Sequence, residues 1–528
     1  MGRYLNPGNE GFRVILRDRY VDKTGLIARM NEVLEGPNKL VCVSRPRRFG
    51  KSFAAQSLVA YYSYGCDSRA LFVGRDVSRD TSFEECLNAY DVVSLDITDI
   101  IHRLGTGSHV APVIQEEVIS ELREAYPGVC VDDDLGGALL SAVEHTGRKF
   151  VFVIDEWDAV FREAKDDEAA QREYVGLLRS IFKSNTVTAR AIAGAYLTGI
   201  LPIKKYGTQS AMNDFREYTM VLPARFAPYV GFSEDEVRVL CAEYEMDFEL
   251  LRRWYDGYDL PGVGAVYAPN SVMQACQNHA VGSYWTSSET YESLRSFIDM
   301  DFDGLQACVA RLVAGDDEPV NTLGFQNDMV SIANSDDVLT LLVHLGYLAY
   351  DEESGTVRVP NEEVRLEFAL AVREGGHPEL ARMVREADAL LSATIMGDED
   401  AVAAGVARAH DSAIGPDWYN DEQALRLAVK LAYLTSVDKF ARIEEMPSGH
   451  GRADVVFLPK RRTRVPAIVV ELKWNKDAQT ALDQIRDRNY PAVLRDYGGP
   501  VLLVGITYDA KNKGHACHIE RLAPGHRE

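Results

Sequence analysis

The feature that most limits what this chain can become is the run SRPRRFGKS at 44–52. A short apolar, β-branched stretch, LVCVS (40–44), precedes it, and a helix-forming stretch, KSFAAQSLVAYYSYG (51–65), follows. Strand, turn and helix in this order build a phosphate-binding unit. Gly50 lets the backbone turn its N–H groups toward an anion, Lys51 neutralises phosphate charge, and Ser52 offers a hydroxyl to Mg²⁺. The phosphate then sits at the N-terminus of the 51–65 helix, where the helix dipole favours negative charge. Arg45 stands where the usual Walker A pattern has its first Gly.

A second apolar run, KFVFVIDEWD (149–158), ends in Asp-Glu. In open α/β folds ligands bind at the carboxyl ends of the strands, so these carboxylates fall where the phosphate loop needs them. Asp155 is expected to hold Mg²⁺ through water, and Glu156 to polarise the attacking water. Thr198, late in ARAIAGAYLTGIL (189–201), is a candidate γ-phosphate sensor. Arg47 and Arg48 are candidates for contacting phosphate or acting across a subunit boundary. Arg45, Phe49, Gly50, Lys51 and Ser52 complete the loop's candidate ATP-binding set. Apolar runs at 91–98, 149–156 and 189–201 alternate with helical patterns such as 112–126. That order predicts a parallel sheet covered by helices on both faces, a P-loop NTPase core over about 20–205.

Past residue 225 the texture changes. GFSEDEVRVLCAEY (231–244) opens with Ser233 and carries Glu236 three positions on, a capping-box start. WYDGYDLPGVGAVYAPNS (254–271) reads as a Gly/Pro/Tyr-rich loop, and 336–368 reads as helix, hairpin, helix with its turn at Glu353–Gly355. The expected organisation is three domains. These are a P-loop NTPase domain (1–225), a helical, winged-helix-like domain (226–375), and an α/β domain with a nuclease-like strand site (376–528).

The last of these rests on GRADVVFL (451–458) and AIVVELKW (467–474), which flank a basic turn. Residues two apart on a strand share a face, so Glu471 and Lys473 point one way and Leu472 the other. Asp454 lies at the start of the neighbouring strand. Two converging carboxylates suit Mg²⁺ or Mn²⁺, and a lysine beside the metal can orient water and stabilise charge on the phosphorane. Gln484, on the following helix, and Glu422, on the preceding one, are auxiliary candidates. Asp/Glu-x-Lys triplets occur at 163–165, 471–473 and 509–511, but only the second lies inside an apolar strand with an Asp on the strand before it. His515, Cys517 and His518 lack a second cluster at zinc spacing and read as ordinary strand residues.

Composition bounds the rest. The chain has 528 residues, too many for one core. No run approaches the apolar length of a membrane span, and the N-terminus lacks the apolar core of a secretory leader. Eight scattered cysteines without a C-x-x-C pair suit a reducing cytoplasm. The net charge of −23 argues against a chain that coats nucleic acid everywhere. Residues 442–476 reverse that sign locally, with eight Arg or Lys against four Asp or Glu.

The motifs YVDKTGLI (20–27), RPRRFGKS (45–52), VIDEWDA (153–159), LTGILPI (197–203), GFSEDEV (231–237), WYDGY (254–258) and LGYLAYDEESGTVRVPNEEVRLEF (345–368), with the GRAD and VELK pair, run in order along nearly the whole chain. Together they resemble bacterial proteins with an N-terminal AAA-ATPase-like domain and a C-terminal PD-(D/E)XK nuclease domain, which implies an AAA-like ATPase fold for 1–225 and a restriction-endonuclease-like α/β/α fold for 376–528. Those proteins also carry Arg at the position of Arg45. The resemblance implies Lys51 and Ser52 for nucleotide and Mg²⁺, Asp155 and Glu156 for the second metal strand, and Asp454, Glu471 and Lys473 for the nuclease, with Glu422 and Gln484 auxiliary. It implies ATP and divalent metal as cofactors and nucleic acid, DNA first, as partner. Monomers and rings are both compatible with it. Two departures stand out: Glu422 is followed by Gln423-Ala424 where the family carries an aromatic-His pair, and Ala453 replaces the leading Pro.

Overall fold

A computed structural model of the 528-residue chain describes residues 2–105, 107–127, 134–164, 167–203, 212, 214–285, 294, 297–298, 300, 302, 304–325, 332–374, 378–413, 425, 429–430, 432–433, 436, 440–448, 451–459, 465–487, 494 and 499–522. At 441–448, 451–454 and 484–487, among others, the description covers the backbone alone. The chain divides into two compact units, one of residues 1–284 with 319–361, the other of 285–318 with 362–528.

The first unit is built on β1 (Leu40–Ser44), α1 (Lys51–Tyr62), β2 (Asp91–Asp96), α2 (Val110–Ala125), β3 (Phe150–Asp155), α3 (Glu168–Phe182), β4 (Ile192–Gly199) and β5 (Arg216–Tyr218). The five strands are all parallel, in the order β2-β3-β4-β1-β5. Strands β1, β3 and β4 are buried along their whole length, which is why they read as unbroken apolar runs rather than alternating ones. Each fully buried Val, Leu, Ile or Phe in them contributes about 1.5–3 kcal/mol relative to exposure. Residues from α2, α3, β3 and β4 share one core. The strands thus end together at one edge, and that edge carries the phosphate loop.

The region after β5 contains β6 (Phe232–Ser233), α4 (Glu234–Glu243), α5 (Phe248–Tyr255), β7 (Tyr258–Leu260) and β8 (Gly264–Tyr267). Here the structure corrects the sequence reading. Residues 258–267 are an antiparallel hairpin, paired Tyr258 to Val266 and Leu260 to Gly264, and not a loop. Gly262 in the turn and Gly264 at the start of β8 hide the strand pattern, because a run this short and Gly-rich carries little periodicity. The capping box is formed: Ser233 Oγ accepts from Glu236 N–H, and Glu236 accepts from Ser233 N–H at 2.7 Å. Glu236 also takes Lys23 Nζ at 2.6 Å, tying the two motifs together. Further on lie α6 (Ser335–Leu345) and the antiparallel hairpin β9 (Ala349–Asp351) with β10 (Thr356–Arg358), followed by a helix at Glu362–Glu374, in the order expected.

The second unit contains α7 (Pro378–Met396), α8 (Glu399–Ala413), β11 (Phe440–Ser448), β12 (Gly451–Pro459), β13 (Ala467–Trp474), α9 (Ala478–Asp487), β14 (Val501–Asp509) and β15 (Gly514–Leu522). Its sheet runs β11-β12-β13-β14-β15, with β13 and β14 parallel and the other neighbours antiparallel. Ile468, Val470 and Leu472 of β13 pack with α7 and α8 on one face, while Ala467 and Val469 pack with Leu482 of α9 on the other. The central strand is therefore sandwiched, and the whole is a multidomain α/β protein. Among the described residues, no helix is long and apolar enough to cross a membrane.

Candidate nucleotide and nuclease sites

At the edge of the first sheet, Gly50 adopts φ +88 as the N-cap of α1, a left-handed backbone that glycine takes without strain. Arg48 before it is also left-handed, at φ +69. Lys51 is buried, donates Nζ to Pro46 O at 3.0 Å, and lies 3.5 Å from Glu156 Oε1. The Ser52 hydroxyl lies near enough to the Asp155 carboxylate to favour its ionised form. Loop and acidic strand, about a hundred residues apart in sequence, thus meet through two separate contacts.

The two carboxylates differ in charge state. Burial pushes Asp155 up, against the pull of the Ser52 hydroxyl and with Glu156 adding to it, to about 7. Burial also opposes ionisation of Glu156, but Lys51, Arg162 and Arg47 outweigh it and hold that carboxyl below the usual range. Glu156 sits at φ +49, an uncommon conformation for a residue with a side chain. Arg162, on the short helix Ala159–Glu163, was not singled out from sequence. It donates Nη2 to Glu156 at 2.5 Å and Nε to Asp158 Oδ2 at 3.2 Å. Asp158 Oδ2 in turn accepts from Ile200 N–H and Leu201 N–H at 3.2 and 2.9 Å, joining the exits of β3 and β4. The i,i+4 spacing of Asp158 and Arg162 was a legible signal for this pair.

Other members of the predicted set are placed differently. Arg45 is fully buried, with Nη1 donating to Ser44 O at 2.9 Å and Tyr218 O at 3.2 Å. Burial brings its guanidinium down to about 10. Both bonds go to backbone carbonyls, and together they tie β1 to β5. Phe49 is buried too, its ring edge-on to Tyr258 at 5.4 Å. Thr198 donates its hydroxyl to Val43 O at 3.0 Å within the sheet. Arg47 bears on Glu156 electrostatically, and Arg48 donates Nη1 to Tyr284 O.

In the second unit, Glu471 is 2% exposed, and Lys473 Nζ donates to its Oε1 at 3.0 Å. The shared face expected from strand alternation is formed, with Leu472 in the core behind it. Strands β12 and β13 pair antiparallel at Val455–Val470, and Asp454 and Glu471 are the next positions beyond that pair. The Asp454 side chain lies outside the description, as does that of Gln484 on α9; Glu422 lies outside the described residues altogether. Among the described residues no group of three or more His, Cys, Asp or Glu is placed to hold a metal. On β15, Cys517 packs in the core, His515 Nε2 meets His410 Nδ1 at 2.8 Å, and His518 Nδ1 meets Glu399 at 2.7 Å.

The first unit is thus a phosphate-loop nucleotide-binding fold, and the second carries an acid-and-lysine strand in a mixed sheet. Family models sharpen both descriptions. Residues 8–208 match the family described as predicted AAA-ATPase, and residues 422–516 match the PD-(D/E)XK nuclease superfamily. The chain combines an AAA-ATPase-like domain with a C-terminal PD-(D/E)XK nuclease-superfamily domain. An uncharacterized protein in the vnfD 5′ region of Azotobacter chroococcum is 23% identical over 521 residues, 94% of this chain and 93% of that protein. Among solved structures, a Walker-type ATPase of Pyrococcus abyssi covers 66% of this chain and 96% of its own length at 12% identity, with a TM-score of 0.29. The ORC2 protein of Aeropyrum pernix, in ADPNP–ADP complexes, covers 66% and 93% at 12% identity and 0.28. Likenesses this slight carry no functional argument.

Proposed function

We propose that this protein binds and hydrolyses ATP and that its C-terminal domain cleaves nucleic-acid phosphodiester bonds, DNA first, with a divalent metal. The observation that carries the nuclease half is a carboxylate buried on a central strand with a lysine on the same face. A buried ionised group is costly unless paired or metal-bound, so Glu471 and Lys473 at 3.0 Å make a set with a reason to be there. The donor set suits a hard cation: Glu471 and Asp454 would hold Mg²⁺ or Mn²⁺, and the ion would supply Lewis acidity toward phosphate. Lys473 would then orient the attacking water and offset charge on the phosphorane, with Gln484 and Glu422 auxiliary.

In the first unit Lys51 and the turn around Gly50 would take the phosphates. Ser52 and Asp155 would hold Mg²⁺, and Glu156, fixed by Arg162, would accept the proton of the attacking water. Arg47, Arg48 and Thr198 remain candidates for the phosphate end. The domain reading is 1–225 for the ATPase, 226–375 for the middle and 376–528 for the nuclease. It follows the motifs and cuts across the two compact units. A bacterial, cytoplasmic setting belongs to the same reading, as does assembly into a homo-oligomer.

A second reading, an ATP-driven switch that binds nucleic acid or a protein with a nuclease fold serving only as a clamp, draws on the net charge of −23. A chain that grips DNA tightly is expected to be more basic. The deciding experiment is plasmid cleavage with Mg²⁺ or Mn²⁺, with and without ATP, beside Glu471→Gln and Lys51→Ala. Cutting that disappears in Glu471→Gln supports the nuclease. No cutting under any condition, with ATP hydrolysis intact, selects the switch.

A further inference from the structure

The WYDGY motif at 254–258 has no part in either candidate site, yet its residues touch three places that matter. Tyr258 lays its ring against Phe49 of the phosphate loop at 5.4 Å and donates its hydroxyl to Gly346 O, just past α6. Gly257, at φ +114, packs on the chain at Pro360 so closely that a Cβ there would lie 1.9 Å from Pro360 O. Arg358 Nη2 donates to Gly257 O at 3.3 Å, and Asn361 Nδ2 donates to Asp256 O at 2.8 Å. Tyr255 Oη accepts from Gly282 N–H at 3.1 Å and donates to Gly282 O at 3.0 Å. Its ring lies 6.4 Å from that of Tyr284, whose carbonyl also takes Arg48 of the phosphate loop.

The chain passes from the first unit to the second after Tyr284 and again after Asn361. Both of these passages are therefore held by four consecutive residues at the junction of α5 and β7, and Tyr258 of that junction packs on Phe49 of the phosphate loop. Arg48 and Phe49 belong to the turn that leads into Lys51, whose ammonium holds Pro46 O and faces Glu156 where phosphate would enter. The geometry points to 255–258 as the coupling element through which nucleotide occupancy reaches the two segments that carry the chain into the nuclease-family unit. Tyr255 serves the first passage and Asp256–Gly257 the second, while Tyr258 takes the signal from Phe49. This rests on the ATP-binding reading above.

The test is amide hydrogen exchange on the full-length protein with and without Mg²⁺ and ADP, with ADP affinity measured alongside. In the wild type, exchange at 278–284 and 356–361 slows by about tenfold on binding. Tyr255→Phe loses the effect at 278–284 only, and Asn361→Ala at 356–361 only, each with ADP affinity within about threefold of wild type. A wild type that binds ADP without any change at either segment overturns the coupling and leaves the ATP-binding reading standing. So does a variant that loses both effects at once, since general loosening would do that. A wild type that binds neither ADP nor ATP removes the ATP-binding reading, and the coupling with it.

Discussion

The two candidate sites bury charge in opposite ways. The nuclease-family site keeps its acid and its base on one strand, two residues apart, so a single stretch of backbone sets their separation. The nucleotide site draws Lys51, Asp155, Glu156 and Arg162 from a turn, a strand end and a short helix, and only the folded sheet brings them together. A pair carried by one strand, as Glu471 and Lys473 are, survives local loosening as long as the strand is paired. A site assembled from several segments responds to any movement of one of them, which suits a part that must change state when ligand arrives.

The largest effects should fall on the buried charges themselves. Glu471→Gln is expected to reduce metal-dependent plasmid cleavage more than about 100-fold while leaving ATP hydrolysis within about twofold. Lys51→Ala is expected to lower ATP hydrolysis by a similar factor. Loss of ATP hydrolysis in Glu471→Gln would break the contrast, because the strand-borne site would then be no more self-contained than the other.

Arg162→Ala comes next. It leaves Asp158 and Glu156 without their shared cation, a loss of about 2 kcal/mol after allowance for partial exposure of Glu156. A thermal melt should show it as a fall of several degrees, with Arg162→Lys recovering part of it. An unchanged melt would mean that Lys51 and Arg47 suffice to hold Glu156. Gly50→Ala is milder. Nothing lies within 4 Å of the added Cβ, so only backbone strain at φ +88 remains, about 1–2 kcal/mol. The readout is weaker nucleotide binding by calorimetry.

The smallest expected effect is on pH. Asp155 is raised to about 7, well above the ~3.9 of an unfolded aspartate. For an acid shifted upward, the folded state holds the extra proton, so this group's contribution to stability is complete below about pH 4 and is lost as pH rises through 7. Binding of Mg²⁺ needs the ionised form. Mg²⁺-dependent ADP affinity should therefore rise about tenfold between about pH 6 and pH 8, with proton release on binding. Titration in buffers of different ionisation enthalpy would detect the proton, and a flat profile would place the metal elsewhere.

Much of this was legible without coordinates. Runs such as LVCVS and FVFVID are buried on both faces, so their composition alone marks parallel strands. Alternation placed Glu471 and Lys473 on one face, since a strand has period two whatever surrounds it. The hairpin at 258–267 was missed because its strands are three and four residues long and its turn is glycine-rich, too little pattern for periodicity to register. The burial of Arg45 and Phe49 was also missed. Both lie in a loop motif that invites a ligand-facing reading, and which side of a turn faces inward depends on what packs behind it.

The sequence by itself determined the local chemistry: a phosphate turn at a helix start, carboxylates at a strand end, and an acid and a lysine sharing a strand face. Each follows from covalent geometry and spacing within a dozen residues. Only the tertiary structure decided that Arg162 clamps Glu156, that Asp155 is raised while its neighbour is held ionised, and that four residues of WYDGY reach the phosphate loop and the segments ending at Tyr284 and Asn361. Burial and partner identity set those properties, and both come from segments far apart in sequence, where no local pattern carries the information.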